Sequence, residues 1–211
     1  MHALHLVLIG PPGSGKGTQA VRIAKRYKVP HISTGDILRQ AVRDDTPLGR
    51  EVAATIASGA LVSDELVSSL VKVRLSQADT AAGFLLDGYP RTVAQAYVLD
   101  ALQPVLIVAH IDVPDDEIIR RLGSRRICRS CGLTQSVTED DSGDCPYCGG
   151  TLARREDDDA ETVRKRLKTY AEVAEPLIAL YRTRPGYLFI NGLQPPDRVT
   201  ADLFKGIDGM A

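Results

Sequence analysis

The run Gly10-Pro11-Pro12-Gly13-Ser14-Gly15-Lys16-Gly17-Thr18 has a first glycine, four residues, then Gly-Lys, the spacing of a loop that cradles phosphate. Small side chains let successive amide N–H groups turn inward, and a helix opening near Lys16 adds the positive end of its dipole. Gly17 stands where a serine or threonine is expected, and Thr18 follows it. Gly13, Ser14, Gly15, Lys16, Gly17 and Thr18 are the expected contacts of a nucleoside triphosphate. Lys16 would reach the β- and γ-phosphates, and the Thr18 hydroxyl a phosphate oxygen or Mg²⁺. Such a loop holds a triphosphate without saying where its phosphoryl group goes.

Asp87 ends the apolar run Gly83-Phe84-Leu85-Leu86 and precedes Gly88-Tyr89-Pro90-Arg91. At the carboxyl end of a parallel strand it would emerge beside the glycine loop, where a carboxylate can hold Mg²⁺ directly or through water. All four cysteines fall in two close pairs, Cys128-x2-Cys131 and Cys145-x2-Cys148, thirteen residues apart. A disulfide framework would spread them along the chain. Two neighbouring pairs read instead as one four-thiolate cage, with zinc the default ion and iron the lesser alternative. Four sulfurs leave no open position, so the ion is expected to be structural.

These groups need elements to position them. Leu4–Ile9 reads as a buried strand, and Lys16–Tyr27 as a helix with Ala20, Ile23, Ala24 and Tyr27 on one face. A helix starts near Ser33-Thr34-Gly35-Asp36, breaks at 45–47, and is followed by a short helix over 49–58. Ser63 caps a longer helix reaching Leu75. Strands over Gly83–Asp87 and 105–111 flank a helix over 92–100, and Pro114 opens another that runs to about 122. Regularity fails over 123–158, which has few large apolar groups and cannot supply its own core. A helix over 159–181 containing Pro176, a strand over 187–190 and a helix over 196–204 close the chain. Alternating strands and helices predict an α/β fold, a parallel sheet covered on both faces.

Composition limits the function classes. A chain of 211 residues with 44% hydrophobic residues suits one globular unit with small insertions. The 26 Lys+Arg against 27 Asp+Glu give a net charge of -1, which argues against a general polyanion surface. No apolar run reaches the roughly 18 residues needed to span a bilayer. The N-terminal apolar run lacks a basic start and ends in the glycine loop, so a cytoplasmic location is expected.

In combination, GPPGSGKGT, STGDILR, GALVSDELV, GFLLDGYPRT, RRICRSCG and DDAETVRKRL resemble the adenylate kinases, nucleoside-monophosphate kinases, in their long bacterial form with a zinc-binding lid. The likeness runs from Leu6 to about Leu203. It implies a three-layer P-loop NTPase fold: a central parallel sheet, a small helical insertion binding the monophosphate, and a zinc-containing lid insertion. On this chain the division is core 1–32, monophosphate-binding domain 33–62, core 63–123, lid 124–158 and core 159–211. The implied reaction is reversible, Mg²⁺-dependent transfer of the ATP γ-phosphoryl to AMP, giving two ADP without a phosphoenzyme. ATP, AMP and ADP are the implied partners, nucleic acid and membrane are not, and the implied state is a monomer.

The resemblance also implies roles for single residues. Thr34 and Arg39 meet AMP, Arg39 at its phosphate; Ala60, Leu61 and Val62 line the adenine pocket. Gly88, Tyr89, Pro90 and Arg91 continue that site, Arg91 on the phosphate, and Gln95 reads the adenine edge. Asp36 supports the metal waters with Asp87. Arg121 lies against the ATP adenine, Arg125 on the ATP phosphates, and Arg155 and Arg166 clamp the transferring phosphoryl group and the AMP phosphate. Asp157 and Asp158 pair with these arginines or hold the closed lid. Thr134, Gln135, Gly192 and Gln194 fall where ATP is contacted, although Thr134-Gln135 occupies a place where relatives often carry an aromatic residue. The catalytic set is then Lys16, Asp87, Arg91, Arg125, Arg155 and Arg166, while Arg126, Arg129, Arg154 and Arg164 are read as solvated.

This assignment suits phosphoryl transfer, which needs positioning and positive charge more than proton chemistry. Forked guanidinium groups match phosphate oxygens. Within the same fold the alternatives are GTP as donor, or UMP or CMP as acceptor; Val62 and Gln95 favour AMP. A nucleic-acid-binding zinc-ribbon NTPase is a different class, opposed by the balanced charge and by aromatic residues at only 5%.

Overall fold

The computed structural model describes residues 3–103, 107–132, 134–137 and 143–210. In chain order the elements are β1 (Leu4–Ile9), α1 (Lys16–Tyr27), β2 (His31–Ser33), α2 (Thr34–Arg43), α3 (Pro47–Ala57) and α4 (Asp64–Leu75). They continue with β3 (Gly83–Asp87), α5 (Val93–Leu102), β4 (Ile107–Asp112), α6 (Asp115–Ser124) and β5 (Arg125–Cys128). The last are β6 (Thr134–Ser136), β7 (Leu152–Ala153), α7 (Ala160–Arg182), β8 (Tyr187–Asn191) and α8 (Pro196–Asp208).

Five strands form one sheet in the order β2-β3-β1-β4-β8, and every pairing is parallel. Side chains alternate across a strand, so β1 sends Val7 and Ile9 into one core and Leu6 and Leu8 into the other. Val7 and Ile9 join Leu86 and Val108 against Leu38, Val52, Val71, Leu99, Leu177 and Tyr181. Leu6 and Leu8 meet Ile23 of α1 and Val199, Leu203 and Ile207 of α8. Two buried faces explain why these strands read as continuous apolar runs. A third cluster, Val113, Ile118, Leu122, Val163 and Leu167, fastens α6 to α7.

Side-chain caps place several helix starts. Ser33, Thr46, Ser63, Thr92 and Asp159 each accept a backbone N–H from the first turn of the helix they precede. The helix α7 continues through Pro176 to Arg182.

The structure departs from the sequence reading in three places. His31–Ser33, read only as the approach to a helix, is an edge strand paired with Leu85, Leu86 and Asp87. Of the strand expected over 105–111, Val105 and Leu106 lie outside the described residues, and the described strand reaches Asp112. Residues 123–158 are more regular than expected: β5 pairs antiparallel with β6 and with β7. These strands are short and carry polar side chains such as Arg126, Thr134 and Gln135, because the sheet covers no apolar layer that would impose alternation.

The close approach of α2 and α3 depends on Gly49. A Cβ there would lie 2.0 Å from the Ala41 carbonyl oxygen and 2.7 Å from the Val42 nitrogen. Gly49→Ala should force the helices apart, costing about 2 kcal/mol and lowering Tm by roughly 5 °C in a chain of this size. A thermal melt superimposable on that of the unsubstituted protein would contradict this packing.

Candidate active site

The carboxyl ends of the parallel strands open into a cleft of about 1320 Å³, the edge of an open α/β sheet at which ligands bind. Its floor is the glycine loop between β1 and α1. Gly13 and Gly15 adopt φ of 85° and 95°, conformations that glycine enters without a Cβ penalty. Gly15 precedes the first turn of α1 with no side-chain cap and no acid in that turn, so the helix presents uncovered N–H groups and its positive end.

Lys16 folds back over this loop. Its Nζ donates to the carbonyls of Gly10 at 2.7 Å and Pro11 at 2.8 Å. Burial pushes the ammonium down to about 8, opposed by Asp87 and helped by Arg91 and Arg166. Asp87 stands opposite, at the end of β3. Burial alone would raise its carboxyl, yet the neighbouring His31 imidazole and Lys16 hold it below the usual carboxylate range. His31 Nε2 lies 3.5 Å from Asp87 Oδ2, a neighbour that sequence reasoning missed because His31 belongs to the unrecognised strand β2.

Cations converge on this cleft from several elements. Arg39 comes from α2 and bonds the exposed Asp36 at 2.6 Å, and that contact keeps the Asp36 carboxyl low. Arg91, after β3, donates from Nε to the Gly88 carbonyl at 2.8 Å, a carbonyl that also accepts from Thr34 Oγ1 at 2.9 Å. Partial desolvation in the cleft and the charges of Arg166 and Arg39 push the Arg91 guanidinium, still open to solvent, down to about 10, cationic at neutral pH. Arg155 responds in the same way, also to about 10, from burial and the charges of Arg39 and Arg125. Its Nε and Nη2 are buried and have no hydrogen-bond partner among the described residues.

Two aspartates hold this cationic group together. Asp158, whose side chain is fully buried, receives two bonds from Arg125 and one from Arg166 at 3.3 Å. Asp157 accepts from Arg166 at 3.0 Å and lies 3.5 Å from Arg155 Nε. Burial disfavours the Asp157 anion, but Arg166 and Arg155 keep its carboxyl low. Arg154, read as solvated, is exposed and also donates to the Asp158 carbonyl at 2.6 Å.

The other nominated residues divide into those facing the cleft and those that do not. Thr18, Ala60, Leu61, Val62, Pro90, Thr134 and Gln135 line it. Arg121 lines it too, held by Glu117 at 2.6 Å and the Gly192 carbonyl at 2.8 Å. Gln194 faces the cleft while donating to Asp202 at 2.9 Å. Tyr89 does not reach it: its ring is fully buried in the core, and its hydroxyl meets Ser68 and the Gln95 carbonyl, each at 3.1 Å. Gln95 lies at the cleft wall with 2% exposure, its amide already bonded to Asp64 and to the Arg91 backbone.

The four cysteine sulfurs lie within 4.8 Å of one another. Cys128 and Cys148 are 3.5 Å apart and Cys131 and Cys145 3.7 Å, far beyond a disulfide bond of about 2.05 Å. Four sulfurs around zinc at about 2.3 Å would be about 3.8 Å apart, so the cage has the size of that ion. The Cys131 N–H points to Cys128 Sγ at 3.5 Å, a contact that favours the thiolate there, while the neighbouring thiols push Cys148 up. No helix among the described residues is long and apolar enough to cross a membrane.

Residues 8–185 match the family described as adenylate kinase. An adenylate kinase of Treponema denticola is 45% identical over 201 residues, covering 94% of this chain and 96% of its own. That of Acetivibrio thermocellus is 44% identical over 215 residues, covering 98% and 99%, and that of Acidothermus cellulolyticus 48% identical over 206, covering 94% and 95%. With a family match over most of the chain and relatives this similar along nearly their whole length, the chain belongs to the adenylate kinase family.

Proposed function

We propose that the cleft transfers the γ-phosphoryl group of ATP to AMP, reversibly, giving two ADP. The observation that carries this reading is an excess of positive charge beside the glycine loop, with two buried donors of Arg155 left without a hydrogen bond among the described residues. Among the described residues lining the cleft, ten are lysine or arginine, Lys16, Arg39, Arg91, Arg125, Arg155 and Arg166 among them, and three are acidic, Asp36, Asp87 and Asp157. Such a site is complementary to phosphate oxygens and to the charge spread over them during transfer.

The roles follow from position. The N–H groups of residues 13–18 and Lys16 would hold the triphosphate, exchanging the carbonyl contacts of Lys16 for phosphate. Arg39 and Arg91 would hold the monophosphate, with Thr34 and the 60–62 segment around its base. Arg125, Arg155 and Arg166 would bridge the two nucleotides. Asp87 and Asp36, both kept ionised, suit the water shell of Mg²⁺; the ion supplies charge neutralisation on the phosphate oxygens. We read 33–62 as the monophosphate-binding domain and 124–158 as the lid, with 1–32, 63–123 and 159–211 forming the core. We infer a monomer from the likeness to the family alone. Thiols kept as a metal cage suit a reducing compartment, and we assign the protein to the cytoplasm on that ground.

The acceptor is tested by measuring ADP formation from Mg·ATP with AMP, GMP, CMP or UMP. AMP should be preferred at least about tenfold, worth about 1.4 kcal/mol; equal turnover of CMP or UMP would reject it. Lys16→Met should lower kcat by at least about 100-fold, roughly 3 kcal/mol, the size lost with a preorganised charge contact. Its melting curve should stay near the original, and a near-normal rate in the folded variant would remove Lys16 from the site.

Zinc in the four-cysteine cage would be structural, since four thiolates saturate it. Elemental analysis of protein purified without chelator should find about one zinc per chain, released by thiol modification. Release should lower thermal stability and weaken ATP binding more than AMP binding, and a metal-free yet equally stable protein would refute the site.

A further inference from the structure

Asp64 opens α4, immediately after the segment 60–62 that lines the cleft, and lies outside the groups given a role above. Its Oδ1 accepts from Gln95 Nε2 at 2.8 Å, and its Oδ2 accepts from Thr92 Oγ1 at 2.6 Å. Thr92 Oγ1 in turn accepts the Gln95 backbone N–H at 3.2 Å. Gln95 Oε1 accepts the Arg91 N–H at 2.7 Å. One carboxylate thus fixes both the backbone and the side chain of Gln95.

A carboxamide rotated by half a turn keeps its shape but exchanges donor for acceptor. The partners of Gln95 settle which way it stands: a carboxylate only accepts and a backbone N–H only donates. Rotation would set oxygen against oxygen at Asp64 and hydrogen against hydrogen at Arg91. The remaining N–H and lone pair of Gln95 are therefore presented in one order. A 6-aminopurine offers a donor at position 6 beside an acceptor at N1, and a 6-oxopurine offers the reverse. An amide locked in one order fits one of them and leaves buried polar groups mismatched with the other, the kind of contrast that discriminates strongly.

We propose that Asp64 is a positioning residue that holds the Gln95 carboxamide in the orientation taking a 6-aminopurine monophosphate and rejecting a 6-oxopurine one. This rests on the reading of Gln95 as the contact to the acceptor base. Steady-state rates with AMP and with IMP, each paired with Mg·ATP, test it in the full chain and in Asp64→Ala, Asp64→Asn and Gln95→Leu. Asp64→Ala should raise KM for AMP about tenfold and narrow the AMP-to-IMP ratio of kcat/KM about tenfold, with KM for ATP within about twofold. Asp64→Asn, whose Oδ1 still accepts from Gln95, should keep the ratio within about threefold of the original. If the alanine variant does not fold, Asp64→Glu, which displaces the carboxylate by one methylene, should narrow the ratio instead. An unchanged ratio in Asp64→Ala while Gln95→Leu collapses it would overturn the role of Asp64 alone. An unchanged ratio in Gln95→Leu would overturn the base-reading role of Gln95 and this inference with it.

Discussion

Like charges brought together in a low-dielectric cleft repel strongly, and this chain sets Lys16, Arg39, Arg91, Arg125, Arg155 and Arg166 among the cations of one cleft. Water screens the half-buried members of this group only in part, so much of the repulsion must be met by the protein itself. Asp158 and Asp157 do so from a single turn of chain, each touching more than one arginine. The arrangement stops short of neutrality. Enough positive charge remains to make an anion welcome, and enough negative charge is present to keep the guanidinium groups within reach of one another. Removing one partner of such a network is far costlier than its surface equivalent, because the remaining ions stay buried.

The sheet exists to deliver these groups. Parallel strands place their carboxyl ends along one edge, so the glycine loop after β1, Asp87 at the end of β3 and Ser33 at the end of β2 emerge side by side. The residues between strands need then only be short or helical. The helix α7 adds the remaining link: its first turns carry Thr162 and Arg166 near the cleft, and its last turns bury Leu177 and Tyr181 in the sheet core. One helix therefore ties the arginine network to the most rigid part of the molecule.

Much of this was legible in the residues, and the exceptions have physical causes. The bounds of β1, α1 and β3 agree with the apolar runs because those elements are buried and closed by glycine, proline or an acid. β2 escaped notice because three residues at a sheet edge show no alternation to read. The three-stranded antiparallel sheet escaped because its side chains follow no apolar period. Among site residues, glycines, lysine and arginines announce phosphate chemistry by type and spacing. The buried position of Tyr89 and the bonds of Asp64 to Gln95 and Thr92 depend on how α4 meets α5, which no local pattern encodes.

The small antiparallel sheet has a thermal consequence. Of the described residues between Arg125 and Ala153, only Cys128 and Cys145 are buried among the hydrophobic ones. The heat capacity of unfolding comes chiefly from apolar surface newly exposed to water. The described residues of this stretch expose little apolar surface on disordering, so its free energy should curve less with temperature than that of the sheet core. The two parts therefore respond to cooling differently, the core passing through the more pronounced maximum of stability.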